Sequence, residues 1–149
     1  MNVYVDTGGW VAYFDQSDRF HPLVVSYLQA TLLQATDRLV TSDYVLDETV
    51  SFLRYHVSHA TALTAFRTLS TLAQVRRITM YEVNGETRTR AGQIFEQFQD
   101  QAFSFTDCTS FAICEAHHIQ YAVTVDKDFV IFGLVILPEE LARSVLLPS

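Results

Sequence analysis

The sequence predicts an α/β fold in which a mostly parallel central sheet is flanked by helices on both faces. Two observations carry that expectation. Short apolar, β-prone runs alternate with longer segments of helical period along the whole chain. Strands separated in this way by helices pair in parallel and are covered on both sides. In addition, 149 residues with 49% hydrophobic content suffice for one core. No internal repeat, low-complexity tract or Pro/Gly-rich linker interrupts the chain, so residues 1–149 read as a single domain.

The elements follow in order. Val3 to Asp6 reads as a short buried strand, and Thr7-Gly8-Gly9 as a turn into an apolar helix beginning at Trp10. Ser17-Asp18 can cap a second helix that tolerates Pro22 in its first turn and places Leu23, Tyr27, Ala30 and Leu33 at helical spacing. Arg38 to Thr41 is a second strand. Ser42 can cap a helix with Val45, Thr49, Phe52 and Leu53 on one face, and Ser58 opens another with Ala62, Phe66, Leu69 and Ala73. Ile78 to Val83 alternates like a strand, Asn84 caps a helix through Ile94 and Phe98, and Thr106 caps the helix DCTSFAICEAHH. Tyr121 to Val125 and Leu134 to Leu137 are the last strands, and Pro138 opens a terminal helix.

Composition narrows the function. No stretch approaches the roughly 18 apolar residues of a membrane span, and the start lacks the basic and apolar regions of a secretion signal, so a soluble, cytoplasmic protein with no membrane partner is expected. Cys108 and Cys114 lie six apart, a spacing that fits neither a CxxC pair nor a disulfide framework, and they read as buried thiols. The net charge of −7 argues against nucleic-acid binding by a broad basic surface. Bound divalent ions would reverse the sign locally where a phosphate approaches. Lys127 is the only lysine among ten basic residues, so the cationic groups are nearly all guanidinium forks.

Four carboxylates carry the chemistry. Ligands of a parallel sheet bind outside the carboxyl ends of its strands, and Asp6 and Asp126 sit at such ends. Asp107 follows Thr106 in the first turn of its helix, where the helix dipole favours an ionised carboxylate. Glu48 lies about two turns into the helix after the second strand, beside its apolar face. The four side chains can reach one pocket. An all-carboxylate set suits hard cations such as Mg²⁺ or Mn²⁺, and such a centre hydrolyses phosphodiesters.

These residues also carry a resemblance. VDTGGWVAYFD around Asp6, LDETVSFL around Glu48, FTDCTSFAIC around Asp107 and AVTVDKDF around Asp126 resemble the ordered acidic motifs of the PIN-domain nucleases, most closely the VapC-like toxins of bacterial and archaeal toxin–antitoxin pairs. The likeness covers nearly the whole chain. It implies a Rossmann-like PIN fold, Mg²⁺ or Mn²⁺ dependence, endonucleolytic cleavage of RNA, homodimerisation and inhibition by a small cognate antitoxin. It makes Asp6 and Asp107 the central metal ligands, with Glu48 and Asp126 completing the acid ring or positioning water. Thr7, Thr106 and Ser110 match polar positions beside those acids, and Asp128 shares or replaces the role of Asp126.

Plainer readings compete. Asp43, Asp47 and Glu48 form a solvated helix start in the bland reading, and His56 with His59, His117 and His118 read as helix ends. Arg76-Arg77 and Arg88 with Arg90 line an RNA path or simply face solvent. Phe95, Phe98, Phe103, Phe105 and Phe111 read as core. Asp6-Thr7-Gly8 matches the aspartic-protease triplet, but that chemistry needs a β-rich fold and most of this chain has helical period. A covalent aspartyl nucleophile at Asp6 would usually want an acid two residues on, where Gly8 stands. The alternative function is a catalytically inactive PIN-like binding or scaffold protein.

Overall fold

In the computed structural model, which describes residues 1–147, the elements run β1 (Asn2–Val5), α1 (Thr7–Phe14), α2 (His21–Gln34), β2 (Arg38–Ser42), α3 (Asp43–His56), α4 (His59–Gln74), β3 (Ile78–Tyr81), α5 (Gly85–Gln97), α6 (Phe105–Ala116), β4 (Tyr121–Val123), α7 (Asp128–Phe132), β5 (Val135–Ile136) and α8 (Glu139–Leu146). The strands form one sheet in the order β3-β2-β1-β4-β5, with every pairing parallel. From β1 the chain steps outward to β2 and β3, then returns to lay β4 on the other side of β1. The winding therefore reverses between β1 and β4, and the carboxyl ends of strands at such a reversal are where open parallel sheets bind their ligands. Among the described residues no helix is long and apolar enough to cross a membrane.

The central strand is covered on both faces, as its continuous apolar run requires. Val3, Tyr4 and Val5 are fully buried. Alternation sends Tyr4 to one side, with its ring 6.5 Å from Phe129 of α7 and its hydroxyl 2.7 Å from that of Ser110 in α6. Val5 goes to the other, beside Gly9 of α1. Beneath α6 and α7, Phe111 stacks on Phe132 at 4.4 Å and meets Phe103 and Phe129 edge-on at 5.0 and 4.8 Å. This aromatic block gives α6 a rigid seat.

Several elements depart from the sequence reading. Helix α1 begins at Thr7, not Trp10, so Gly8 and Gly9 are helical. Their value is close approach: a Cβ on Gly9 would lie 2.6 Å from the Val123 carbonyl oxygen, and one on Gly8 would lie 2.5 Å from Val125 Cγ2. Gly9→Ala should therefore destabilise the fold by about 1–3 kcal/mol in urea denaturation. Gly92→Ala in α5, with nothing within 4 Å of the added methyl, should instead stabilise it by about 0.5–1 kcal/mol. Equal effects at the two sites would contradict the packing reading.

Ser17 and Asp18 do not cap α2, whose N-cap is Phe20. The Asp15 and Asp18 carboxylates instead accept from the amides of Ser17 and Phe20 and wind the connection into turns. Strand β3 stops at Tyr81 because its partner β2 ends opposite, at Ser42, and the Val83 amide donates to the Asp43 carboxylate at 3.0 Å. Strand β4 stops at Val123, where β1 ends. Phe52 and Phe66 lie exposed, one position off the buried faces formed by Val45, Thr49 and Leu53 and by Ala62, Ala65 and Leu69. Phe95 and Phe105 are likewise exposed, meeting each other edge-on at 6.2 Å, while Phe103 and Phe111 are core. Both cysteines are free and buried.

Candidate metal centre

Asp6 is placed by the end of β1. It N-caps α1 in an extended conformation, and its amide donates to the Val123 carbonyl at 3.1 Å. The side chain is buried. Its Oδ2 accepts from the Thr124 hydroxyl at 3.1 Å, and its Oδ1 has no partner among the described residues. A buried carboxylate oxygen without a donor is costly, and its existence needs an explanation.

Asp107 belongs to a capping box. The N-cap of α6 is Ser104, which corrects the expected Thr106. Ser104 Oγ accepts from the Asp107 amide at 3.0 Å, and Asp107 Oδ2 accepts from the Ser104 amide at 3.1 Å. The box fixes the carboxylate over the first turn with one oxygen used for capping. Thr106 is half-buried beside it, and its carbonyl accepts from the Thr109 hydroxyl. Ser110 lies deeper, fully buried, hydrogen-bonded to Tyr4. It ties α6 to β1 beneath the acids.

Glu48 is half-buried in α3 and accepts from the Thr7 hydroxyl at 2.5 Å, a bond from the first residue of α1. Its neighbours differ. Asp47 is exposed, and Asp43 accepts from the Tyr44 and Val83 amides as a structural cap. Asp126 lies in the loop between β4 and α7, and Asp128 is the first residue of α7. The Asp126 amide donates to Thr124 Oγ1 at 3.0 Å, and Asp126 Oδ1 accepts from the Asp128 amide at 2.9 Å. Asp107, Asp126 and Asp128 each bring an oxygen within 4.8 Å of the others, close enough to share one ion.

The electrostatics match this crowding. Burial, then the charge of Asp107, pushes the Asp6 carboxyl up to about 8. Burial, then the charges of Asp126 and Glu48, pushes Asp107 up to about 6 despite the opposing bonds from Ser104. Asp128 is raised by burial and by Asp126. The start of α6 thus holds Asp107 above its ordinary value, though a carboxyl at about 6 is still mostly ionised at neutral pH. Removal from water and like charge outweigh a dipole effect of about 1 kcal/mol. Among the described residues no ion pair involves any of these acids. Donors that are all oxygen, mutually repelling and partly unpartnered fit a hard divalent cation.

The PIN domain family model matches residues 3–133. The chain belongs to the PIN-domain family. This PIN domain is 31% identical over 137 residues to the 23S rRNA-specific endonuclease VapC20 of Mycobacterium tuberculosis, a match covering 89% of this chain and 95% of the relative. It is similar to the crystal structure of M. tuberculosis VapC20, described as a sarcin–ricin loop cleaving toxin, with a TM-score of 0.79, 25% identity, and 89% and 96% of the two chains covered. Two further structures share the fold. VapBC2 of Rickettsia felis, bound to a DNA fragment from its promoter, gives a TM-score of 0.66 at 14% identity over 91% of this chain and 97% of that one. FitAcB of Neisseria gonorrhoeae gives 0.62 at 12% over 93% and 97%.

Ser104 and Thr124, which hydrogen-bond to Asp107 and Asp6, are absent from the sequence reading. The pattern Ser104-x-x-Asp107 is a readable capping-box signal. Thr124 carries no such signal, since its partner Asp6 lies 118 positions away. The His56 and His59 pair forms no metal-holding group among the described residues; His59 meets Arg54 and His56 packs tilted against Phe52.

Proposed function

We propose that this PIN domain is a cytoplasmic, divalent-metal-dependent endoribonuclease and the toxin of a toxin–antitoxin pair. Asp6, Glu48, Asp107 and Asp126 are its metal-binding and catalytic acids, with Asp128 sharing the last position. The observation that carries the reading is that Asp107, Asp126 and Asp128 bring carboxylate oxygens within 4.8 Å of one another, while Asp6 and Glu48 lie near enough to Asp107 for like charge to raise the carboxyls of Asp6 and Asp107. Asp6 Oδ1 is left without a donor. Mg²⁺ or Mn²⁺ bound by this set would lower the pKa of a water and stabilise charge on the phosphodiester.

The chain's own residues do the positioning. Thr7 holds Glu48, Ser104 holds Asp107, and the Tyr4–Ser110 bond fixes α6 against β1. RNA as substrate is supported by the likeness to the 23S rRNA-specific endonuclease, because carboxylates and a cation would cut DNA equally well. A small antitoxin and a homodimer complete the proposal, resting on the VapC-like motifs.

Purified protein with Mn²⁺ should cut an RNA hairpin carrying the sarcin–ricin loop at a discrete position, stop on addition of a chelator, and resume with Mg²⁺. Intact hairpin and intact total ribosomal RNA in both ions would overturn the assignment.

A further inference from the structure

We propose that Thr124 is a positioning residue whose single hydroxyl locks the first and last acids of the centre, Asp6 and Asp126, into one unit. The proposal rests on the metal-centre reading above. Thr124 lies just past the end of β4 and is fully buried. Its Oγ1 accepts from the Asp126 amide at 3.0 Å and donates to Asp6 Oδ2 at 3.1 Å. A hydroxyl has one proton and two lone pairs. With the Asp126 amide on a lone pair, the proton is directed to Asp6.

The two bonds differ in kind. The bond from the Asp126 amide is a local turn contact, spanning two residues. The bond to Asp6 crosses the reversal in winding between β1 and β4, where no covalent connection holds the two acid-bearing loops at a fixed distance. Around it the backbone is already closely fitted. The Asp6 amide donates to the Val123 carbonyl, and Val125 packs where a Cβ on Gly8 would sit. The Thr124 hydroxyl therefore orients a carboxylate whose neighbouring main chain is fixed and whose other oxygen is unpartnered. It selects the rotamer that leaves Oδ1 unpartnered and holds the loop that delivers Asp126.

The test uses the full chain with Mn²⁺ as the probe. Thr124→Val keeps the shape and removes the hydroxyl, while Thr124→Ser keeps the hydroxyl and removes the methyl. Calorimetry should show Mn²⁺ binding weakened about tenfold or more in T124V, with kcat for RNA falling about 10–100-fold and KM little changed. The unfolding midpoint should stay near wild type, and T124S should restore Mn²⁺ affinity to within about threefold of wild type. Should T124V not fold, Thr124→Cys, similar in size but a poor hydrogen-bonding group, takes its place with the same expectation. Wild-type Mn²⁺ affinity and kcat in a hydroxyl-free variant would overturn the proposal, as would a T124S variant as impaired as T124V. A wild-type protein that takes up no Mn²⁺ would overturn the metal-centre reading itself, a distinct result.

Discussion

Asp6→Asn and Asp107→Asn should each lower RNA cleavage by at least ~10³-fold while leaving the protein folded. Asparagine matches aspartate in shape, so the Asp6 contact with the Thr124 hydroxyl and the Asp107 capping bond to Ser104 can both persist. What disappears is the negative charge that holds a divalent cation. The loss should be seen at saturating Mn²⁺ as a fall in kcat, and the calorimetric signature of Mn²⁺ binding should weaken in parallel. The loop acids can be separated in the same assay. Asp126 lies on the Thr124 turn and accepts from the Asp128 amide, whereas Asp128 opens α7. Asp126→Asn should therefore be the more damaging of the two. Undiminished cleavage by Asp6→Asn would sink the four-acid centre.

Much of this centre is legible in the sequence because strand ends are legible. The run from Val3 to Val5 is apolar without alternation, so it is buried on both faces, and the acid that ends it must lie at the sheet's carboxyl end. Glu48 and Asp107 are readable as helix positions for a similar reason. What stays hidden is set by neighbours distant in sequence. Strand β4 looks two residues too long because nothing in Val125 announces that β1 has ended opposite Val123. Helix α7, five residues long, is too short for periodicity to register. Phe52 and Phe66 fit their helical faces by spacing, yet the packing of α3 against α4 leaves both exposed. The upward shift of Asp107 is hidden because a helix start is a local feature, whereas burial beside Asp126 and Glu48 arises only once three elements meet.

In the presence of a chelator, the fold should lose stability as the pH rises from about 4 to about 8, with a total fall on the order of a few kcal/mol. Asp6 and Asp107 both have folded values above the ordinary 3.8, at about 8 and about 6. The folded state therefore holds protons that the unfolded chain has released. This contribution is complete below about pH 4 and is lost as the pH rises through 6, where Asp107 ionises, and then through 8, where Asp6 does. A tenfold gain in proton affinity on folding corresponds to about 1.4 kcal/mol, but the two groups share one repulsion, so their contributions do not add in full. Mg²⁺ should reverse the trend, because a cation binds the ionised form and stabilises it by about 2.7 kcal/mol at a hundred times its Kd. The gap between urea midpoints in Mg²⁺ and in chelator should thus widen with pH. Asp6→Asn should flatten the chelator curve above about pH 6 and leave the part set by Asp107. A flat profile for the wild type in chelator would mean that the acids are solvated and apart, and would remove the electrostatic case for a shared ion.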